Sequence, residues 1–238
     1  MDEVSIHLDR NDKDDPNTNE EAMAALRINV KSKDKELVGR LFSAKIIELA
    51  LSNYPGFFAG GGVKSGGPVL IYWPALVDSK HINEVVHFNG KSKKLKPTSQ
   101  LNFEEIYYQT EPVKIPDAPK GETRHVPLGT LFGARSGDKG GCANLGVWAK
   151  DLDAFAFLSS FLTIEKLKEL MPDLKEFKIE RFDLPNILSL NFYIHDILED
   201  GVSSNSRKDA QAKSLGEYLR AKKANIPSSL LETLNESR

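Results

Sequence analysis

The run Arg135-Ser136-Gly137-Asp138-Lys139-Gly140-Gly141-Cys142-Ala143-Asn144-Leu145-Gly146 limits the fold of this chain more than any other stretch. The stretch holds four glycines and three charged side chains, and it joins two apolar runs, Val126 to Ala134 and Leu145 to Ala149. That arrangement predicts a connection between two strands, or a strand and a short bulge, in which glycine adopts positive φ and lets backbone N–H groups approach a ligand. Two readings fit it equally. One is a hairpin turn with solvated charges; the other is a polar site in which Arg135, Asp138 and Lys139 are held on one connecting loop. A nucleotide P-loop is excluded, because Lys139 precedes the last glycines where Gly-x-x-x-x-Gly-Lys-Ser/Thr requires it to come after them.

The chain beyond Ala149 has a clear pattern. Asp151 to Met171 carries apolar residues at helical spacing and reads as one helix or two short ones, stopped by Pro172. Phe177 to Phe182 and Ile187 to His195 read as strands joined through Asp183-Leu184-Pro185-Asn186. In the second of these, Leu188, Leu190, Phe192 and Ile194 take one face and Ser189, Asn191, Tyr193 and His195 the other. A last helix is expected from about Arg207 to Lys222, with Ala212, Leu215, Gly216 and Leu219 inside. Two strands, helix, two strands, helix describe an α+β sandwich of the ferredoxin-like kind over 123–225, with a tail at 226–238.

The first half is expected to hold a partial α/β segment over 21–96. Residues 1–20 are polar and acidic and are expected to form a loose, disordered arm. Ala25 to Val30 reads as a strand, and Asp34 to Leu51 as a helix burying Val38, Leu41, Phe42, Ile46 and Leu49. Glycines crowd the segment from Phe57 to Gly67, a connector or a close backbone approach to a ligand. Val69 to Trp73 and Glu84 to Asn89 read as strands, with Asn89-Gly90 a tight-turn signal. Lysines at 91, 93, 94 and 96 and prolines at 97, 112, 116 and 119 mark a linker over 97–122.

Composition removes several function classes. With 28% charged residues and a net charge of −2, there is no electrostatic case for nucleic acid or an anionic membrane. No run approaches the roughly 20 apolar residues of a membrane span. The acidic start lacks the basic, then apolar, pattern of a signal peptide, so a cytoplasmic location is expected. Cys142 is the only cysteine, which rules out an intramolecular disulfide and leaves no Cys/His zinc spacing.

The run from Ala134 to Gly140, with Ala143-Asn144-Leu145-Gly146-Val147 after it, resembles the signature opening the small C-terminal domain of the AtuA-like acyclic terpene utilisation proteins. Leu184-Pro185-Asn186, Leu190-Asn191-Phe192, His195 and Asp209-Ala210-Gln211-Ala212-Lys213 are similar to later parts of that domain, in the same order. Upstream, Phe42-Ser43-Ala44, Glu48-Leu49-Ala50, Tyr54-Pro55-Gly56-Phe57-Phe58 and the run from Tyr72 to Val77 resemble the end of the larger domain that precedes it. The chain departs from its relatives at Gly141 and Cys142, and at Asp196 to Asp200. The resemblance implies a context of branched, terpenoid-derived acyl-CoA or carboxylate compounds, and names no reaction and no cofactor. On these grounds Asp138, Lys139 and His195 are the candidate catalytic residues, with Asp138 a base and His195 an acid or base. Arg135, Ser136, Gly137, Gly140, Asn144, Asn186 and Asn191 are the candidate substrate contacts. Because relatives are longer, the alternative is a non-catalytic assembly module docking a partner that carries the rest of the large domain, in a homo- or hetero-oligomer.

Overall fold

A computed structural model describes residues 1–50, 54–60, 66–95 and 112–236 of the chain. Most of the linker expected at 97–122, and the middle of the glycine-rich segment, lie outside the described residues. Two units emerge: Met1–Leu70 with Ser204–Lys208, and Ile71–Ser203 with Asp209–Arg238.

In the first unit, β1 (Glu3–Arg10) pairs antiparallel with β2 (Ala24–Lys31), setting Ile6 opposite Ile28 and Leu8 opposite Leu26. The expected loose arm is therefore a strand over much of its first half. Val4, Ile6 and Leu8 alternate with polar neighbours there, a period-2 signal that the acidic run after Arg10 obscures. Asp34 caps α1 (Lys35–Val38) by accepting from the Glu36 N–H at 3.0 Å. Gly39 breaks the backbone before α2 (Arg40–Ala50), which carries on the expected helix. The expected apolar burial is not found: Leu41 and Leu49 are exposed, and no described residue before Leu128 is buried.

Val69 to Trp73, where the first unit gives way to the second, forms no strand and has no ladder partner among the described residues. Further on, β3 (Val85–Phe88) and β4 (Lys91–Lys94) form a hairpin whose turn is Asn89-Gly90, both at positive φ as a mirror-image turn requires.

The rest of this unit is built from β5 (Thr123–Pro127), β6 (Gly133–Lys139), β7 (Cys142–Trp148), α3 (Leu152–Phe161), α4 (Ile164–Leu170), β8 (Ile179–Leu184), β9 (Ser189–Ile194), α5 (Leu215–Ala221), β10 (Lys223–Pro227) and α6 (Ser228–Glu236). Four strands make one antiparallel sheet in the order β6-β7-β9-β8, while β5 pairs separately with β10. The path β7, helices, β8, β9, α5 is the core of a ferredoxin-like sandwich. Its remaining edge strand, β6, enters before that core instead of closing it at the end. The fold is α+β.

Local chemistry fixes the breaks. Asp151 accepts from the Ala154 N–H to start α3, and Thr163 accepts from the Lys166 N–H to start α4, so of the two readings, one helix or two short ones, the second holds. Val126 to Ala134 is not one extended run, because a single 3-10 turn at Leu128–Thr130 separates β5 from β6. Leu190, Phe192 and Ile194 are fully buried with Phe155, Leu158, Leu167 and Leu219, each worth about 1.5–3 kcal/mol of apolar burial. The face assignment read from the alternation in β9 holds. Residues 226–238, expected as a tail, begin with the buried Ile226 and continue into α6, whose Leu230 and Leu231 are buried.

Candidate functional site

The glycine-rich stretch is a hairpin, not a loop. Arg135 to Lys139 lie in β6 and Cys142 to Gly146 in β7, and only Gly140 and Gly141 turn the chain. Gly140 has φ +65, and a Cβ there would sit 3.2 Å from the Tyr72 ring. At Gly141 a Cβ would run into the Glu199 carbonyl, while the Gly141 carbonyl accepts from the Leu198 N–H. The β7 backbone N–H groups are committed to ladders on both sides, and β6, at the sheet edge, commits only alternate N–H groups to β7.

A strand sends successive side chains to opposite faces, and this splits the expected site in two. Ser136 and Asp138 pair with the buried Leu145 and Ala143, so they stand on the helix side of the sheet. Ser136 Oγ donates to the Lys213 carbonyl at 3.1 Å and accepts from the Gly216 N–H at 2.9 Å. Asp138 Oδ1 lies 3.9 Å from Lys213 Nζ, so it pairs with Lys213 and not with Arg135. A cavity of about 260 Å³ here is lined by Ala134, Arg135, Ser136, Lys213, Gly216 and Glu217.

The segment leading to α5 is held by Asp209. Its carboxylate accepts from the Lys213 N–H at 2.9 Å, the Ser214 N–H at 2.7 Å and the Ser214 hydroxyl at 2.6 Å. Burial opposes its ionisation, yet these bonds, with one from the Gln211 backbone, keep the carboxyl below the usual carboxylate range. The expected helix from Arg207 thus starts only at Leu215, because Asp209 holds the preceding residues in turns.

On the other face the ladder registers align residues in rows across the sheet. One row runs Arg135, Gly146, Asn191, Phe182; the next runs Gly137, Asn144, Tyr193, Glu180. Asn144 Nδ2 donates to Asn191 Oδ1 at 3.2 Å. His195, just past β9, meets Glu180 Oε1 through Nε2 at 2.7 Å, and its ring lies edge-on to Tyr193 with centroids 4.9 Å apart. Lys178 first, then His195, holds the Glu180 carboxyl below its usual range. A hydrogen bond with Cys142 is the main cause raising the Tyr193 phenol.

Of the ten candidates, Arg135, Gly137, Asn144, Asn191 and His195 come together on this face. Lys139 stands at its hairpin end, exposed, with Nζ bonded to the Asp138 carbonyl at 2.9 Å. Gly140 serves the turn. Ser136 and Asp138 are on the opposite face, and Asn186 is exposed in the β8–β9 turn at the other end of the strands. Two further residues of this face, Tyr193 and Glu180, are not among the candidates. Tyr193 is legible as the residue between Asn191 and His195 in the same alternation; Glu180 requires the β8–β9 register, which no single strand shows. Among the described residues no three His, Cys, Asp or Glu side chains gather to hold a metal ion.

Two family models match the chain. The AtuA ferredoxin-like domain covers residues 126–225, and the acyclic terpene utilisation family protein AtuA covers residues 1–88. The chain belongs to the AtuA family. No curated protein and no solved structure matches it. The ferredoxin-like match spans β6 to α5 and so contains the whole four-stranded sheet and both of its faces. No helix among the described residues is long and apolar enough to cross a membrane.

Proposed function

We propose that the chain works as a subunit of an AtuA-type assembly, in which residues 1–88 dock a partner and the ferredoxin-like domain supplies the stable folded part. One observation carries this reading. All buried apolar residues described lie between Leu128 and Leu231, whereas Ile6, Leu8 and Leu26 are 63%, 57% and 62% exposed on a two-stranded ribbon. An isolated ribbon is marginal in water, and apolar side chains at this density are those of an interface. The partner is a second copy or a chain carrying the larger part of the AtuA domain. Light scattering over a concentration series tests it: self-association, or a stoichiometric complex with such a chain, is expected, and Ile6→Lys with Leu8→Lys weakens it. A chain that stays monomeric in both settings would overturn the reading.

The sheet's polar face favours a second reading, an enzyme or enzyme subunit acting on branched or terpenoid-derived acyl-CoA or carboxylate compounds. Arg135, Asn144, Asn191 and His195 share that face. The acid–base role passes from Asp138, on the far side, to His195, whose Nε2 is oriented by Glu180. Thermal shift with CoA, acyl-CoA thioesters and simple carboxylates tests it, since a ligand of the native state raises Tm by mass action.

A further inference from the structure

We propose that β8, an edge of the four-stranded sheet, pairs antiparallel with β8 of a second copy of this chain about a two-fold axis at Phe182. The proposal goes beyond docking through residues 1–88, because it lies on the ferredoxin-like domain and uses no part of the ribbon. The sheet has two edges, β6 and β8. Along β6 the Ser136 hydroxyl is tied to the Lys213 carbonyl and the Gly216 N–H, and a Cβ on Gly216 would lie 3.3 Å from the Ala134 and Arg135 backbone, so the start of α5 lies against that strand. On the outer side of β8 no backbone group pairs among the described residues. The His195 N–H donates to the Lys178 carbonyl at 3.0 Å, which makes 178 and 195 a hydrogen-bonded pair continuing the β8–β9 ladder. Antiparallel pairs alternate, so Glu180, Phe182 and Leu184 bond inward to β9, while Ile179, Arg181 and Asp183 turn their N–H and C=O outward. The ladder runs over all six residues of β8 without a bulge, and the strand holds no lysine or proline, the usual guards of an edge.

Charges on an edge normally repel another strand, but those of β8 are self-complementary and choose one register. With the axis at Phe182, Arg181 stands opposite Asp183 of the second copy and Asp183 opposite its Arg181, and each such pair exchanges the outward N–H···O bonds of both residues. Moving the axis by one residue sets Arg181 against Arg181 or Asp183 against Asp183, and like charges directly opposite are destabilising. Within each chain Arg181 Nη2 already holds Asp183 Oδ1 at 2.7 Å, so the four charges alternate in sign around the axis. Arg181 is fixed for this role, since its guanidinium also donates to the Leu162 carbonyl at 3.1 Å and the Ser159 hydroxyl at 3.0 Å. On the face away from the helices Phe182, 48% exposed, meets its own counterpart as a non-hydrogen-bonded pair with Cα atoms about 4.5 Å apart. Leu184, 41% exposed, stands diagonal to Phe182 of the second copy, within reach of its ring. The pairing thus covers the apolar side chains that this edge leaves in water.

Sedimentation equilibrium on the full chain carrying Ile6→Lys and Leu8→Lys tests it, because association through the ribbon is weakened there. A dimer is expected to remain at concentrations up to about 0.5 mM, weak because one strand pair buries little area. Phe182→Lys puts two ammonium groups at the axis, and Asp183→Arg faces each Arg181 with a second guanidinium. Each is expected to raise the dimer Kd by about tenfold or more, with the Tm of a dilute sample little changed. Disulfide trapping checks the register. In a Cys142→Ser background, Phe182→Cys is expected to cross-link to its counterpart on oxidation and Glu180→Cys is not, since bridged cysteines need Cα atoms within about 7 Å. A dimer undiminished by both β8 variants, or cross-linking through Glu180→Cys in place of Phe182→Cys, would overturn the proposal. So would a ribbon variant that stays monomeric throughout, an outcome that leaves docking through residues 1–88 intact. Self-association abolished by the β8 variants and untouched by the ribbon ones would instead sink the ribbon as a self-docking surface and support this one.

Discussion

Asp209 and Asp138 both lie within the matched ferredoxin-like domain, and their surroundings give them unequal weight. Asp209 accepts three short hydrogen bonds from Lys213 and Ser214, whereas Asp138 has an ion pair at 3.9 Å whose side chains are 62% and 36% exposed. Asp209→Ala leaves several donors without a partner and is expected to destabilise the fold by about 1 kcal/mol, the low end for a charged acceptor because the site is part-exposed. Asp138→Asn is expected to change stability by less than about 0.5 kcal/mol. The depressed pKa of folded Asp209 sets the sign of a pH effect. Its stabilisation is fully present above the ordinary carboxylate range and is lost as pH falls through the lower folded value. The Tm gap between the natural chain and Asp209→Ala should therefore narrow on acidification below about pH 4. Thermal unfolding over a pH series measures it, and a gap that widens there would contradict the assignment.

The β6–β7 hairpin shows why two glycines of one motif differ. Gly141 packs against the Glu199 carbonyl, a backbone group held by the Leu198 N–H bond to Gly141 itself, so an added methyl forces the two segments apart. Gly137 would meet only the Lys213 ammonium at 3.0 Å, the end of a flexible side chain that moves at little cost. Gly141→Ala is expected to cost about 1–3 kcal/mol and Gly137→Ala distinctly less, read as a shift in denaturation midpoint at unchanged m-value. Equal shifts would mean that the close approach at Gly141 is not what constrains the turn. Elements with a strict period are legible in the sequence: β9 through its alternation, and α3 and α4 through their apolar spacing. The polar site is legible in composition but not in geometry. Once Arg135 to Lys139 is a strand, Arg135 and Asp138 point to opposite faces, and no local signal separates that from a loop holding both on one side. Likewise Arg207 to Ser214 has a helix-compatible composition, and the Asp209 carboxylate, by accepting from the Lys213 and Ser214 N–H groups, with Ala212 at positive φ, holds it in turns.

At the scale of the molecule, stability is concentrated where the burial is. Leu145, Phe155, Phe192 and Ile194 are fully buried in one core, while β1 and β2 have, among the described residues, only each other as ladder partners and no buried side chain. Local opening costs as much as global unfolding only for segments tied into the common core; a ribbon without one opens at far less cost. Hydrogen exchange on the full chain should therefore show two classes of amide. Those of β7 and β9, paired on both sides within the sheet, are expected to exchange only with global unfolding. Those of β1 and β2 are expected to exchange orders of magnitude faster, in a dilute and unassociated sample. Because docking buries the apolar face of the ribbon, raising the concentration or adding the partner chain should slow the β1 and β2 amides while leaving β7 and β9 unchanged. If β1 and β2 are already as protected as β9 at high dilution, the ribbon is stable without a partner and its exposed Ile6, Leu8 and Leu26 no longer argue for assembly.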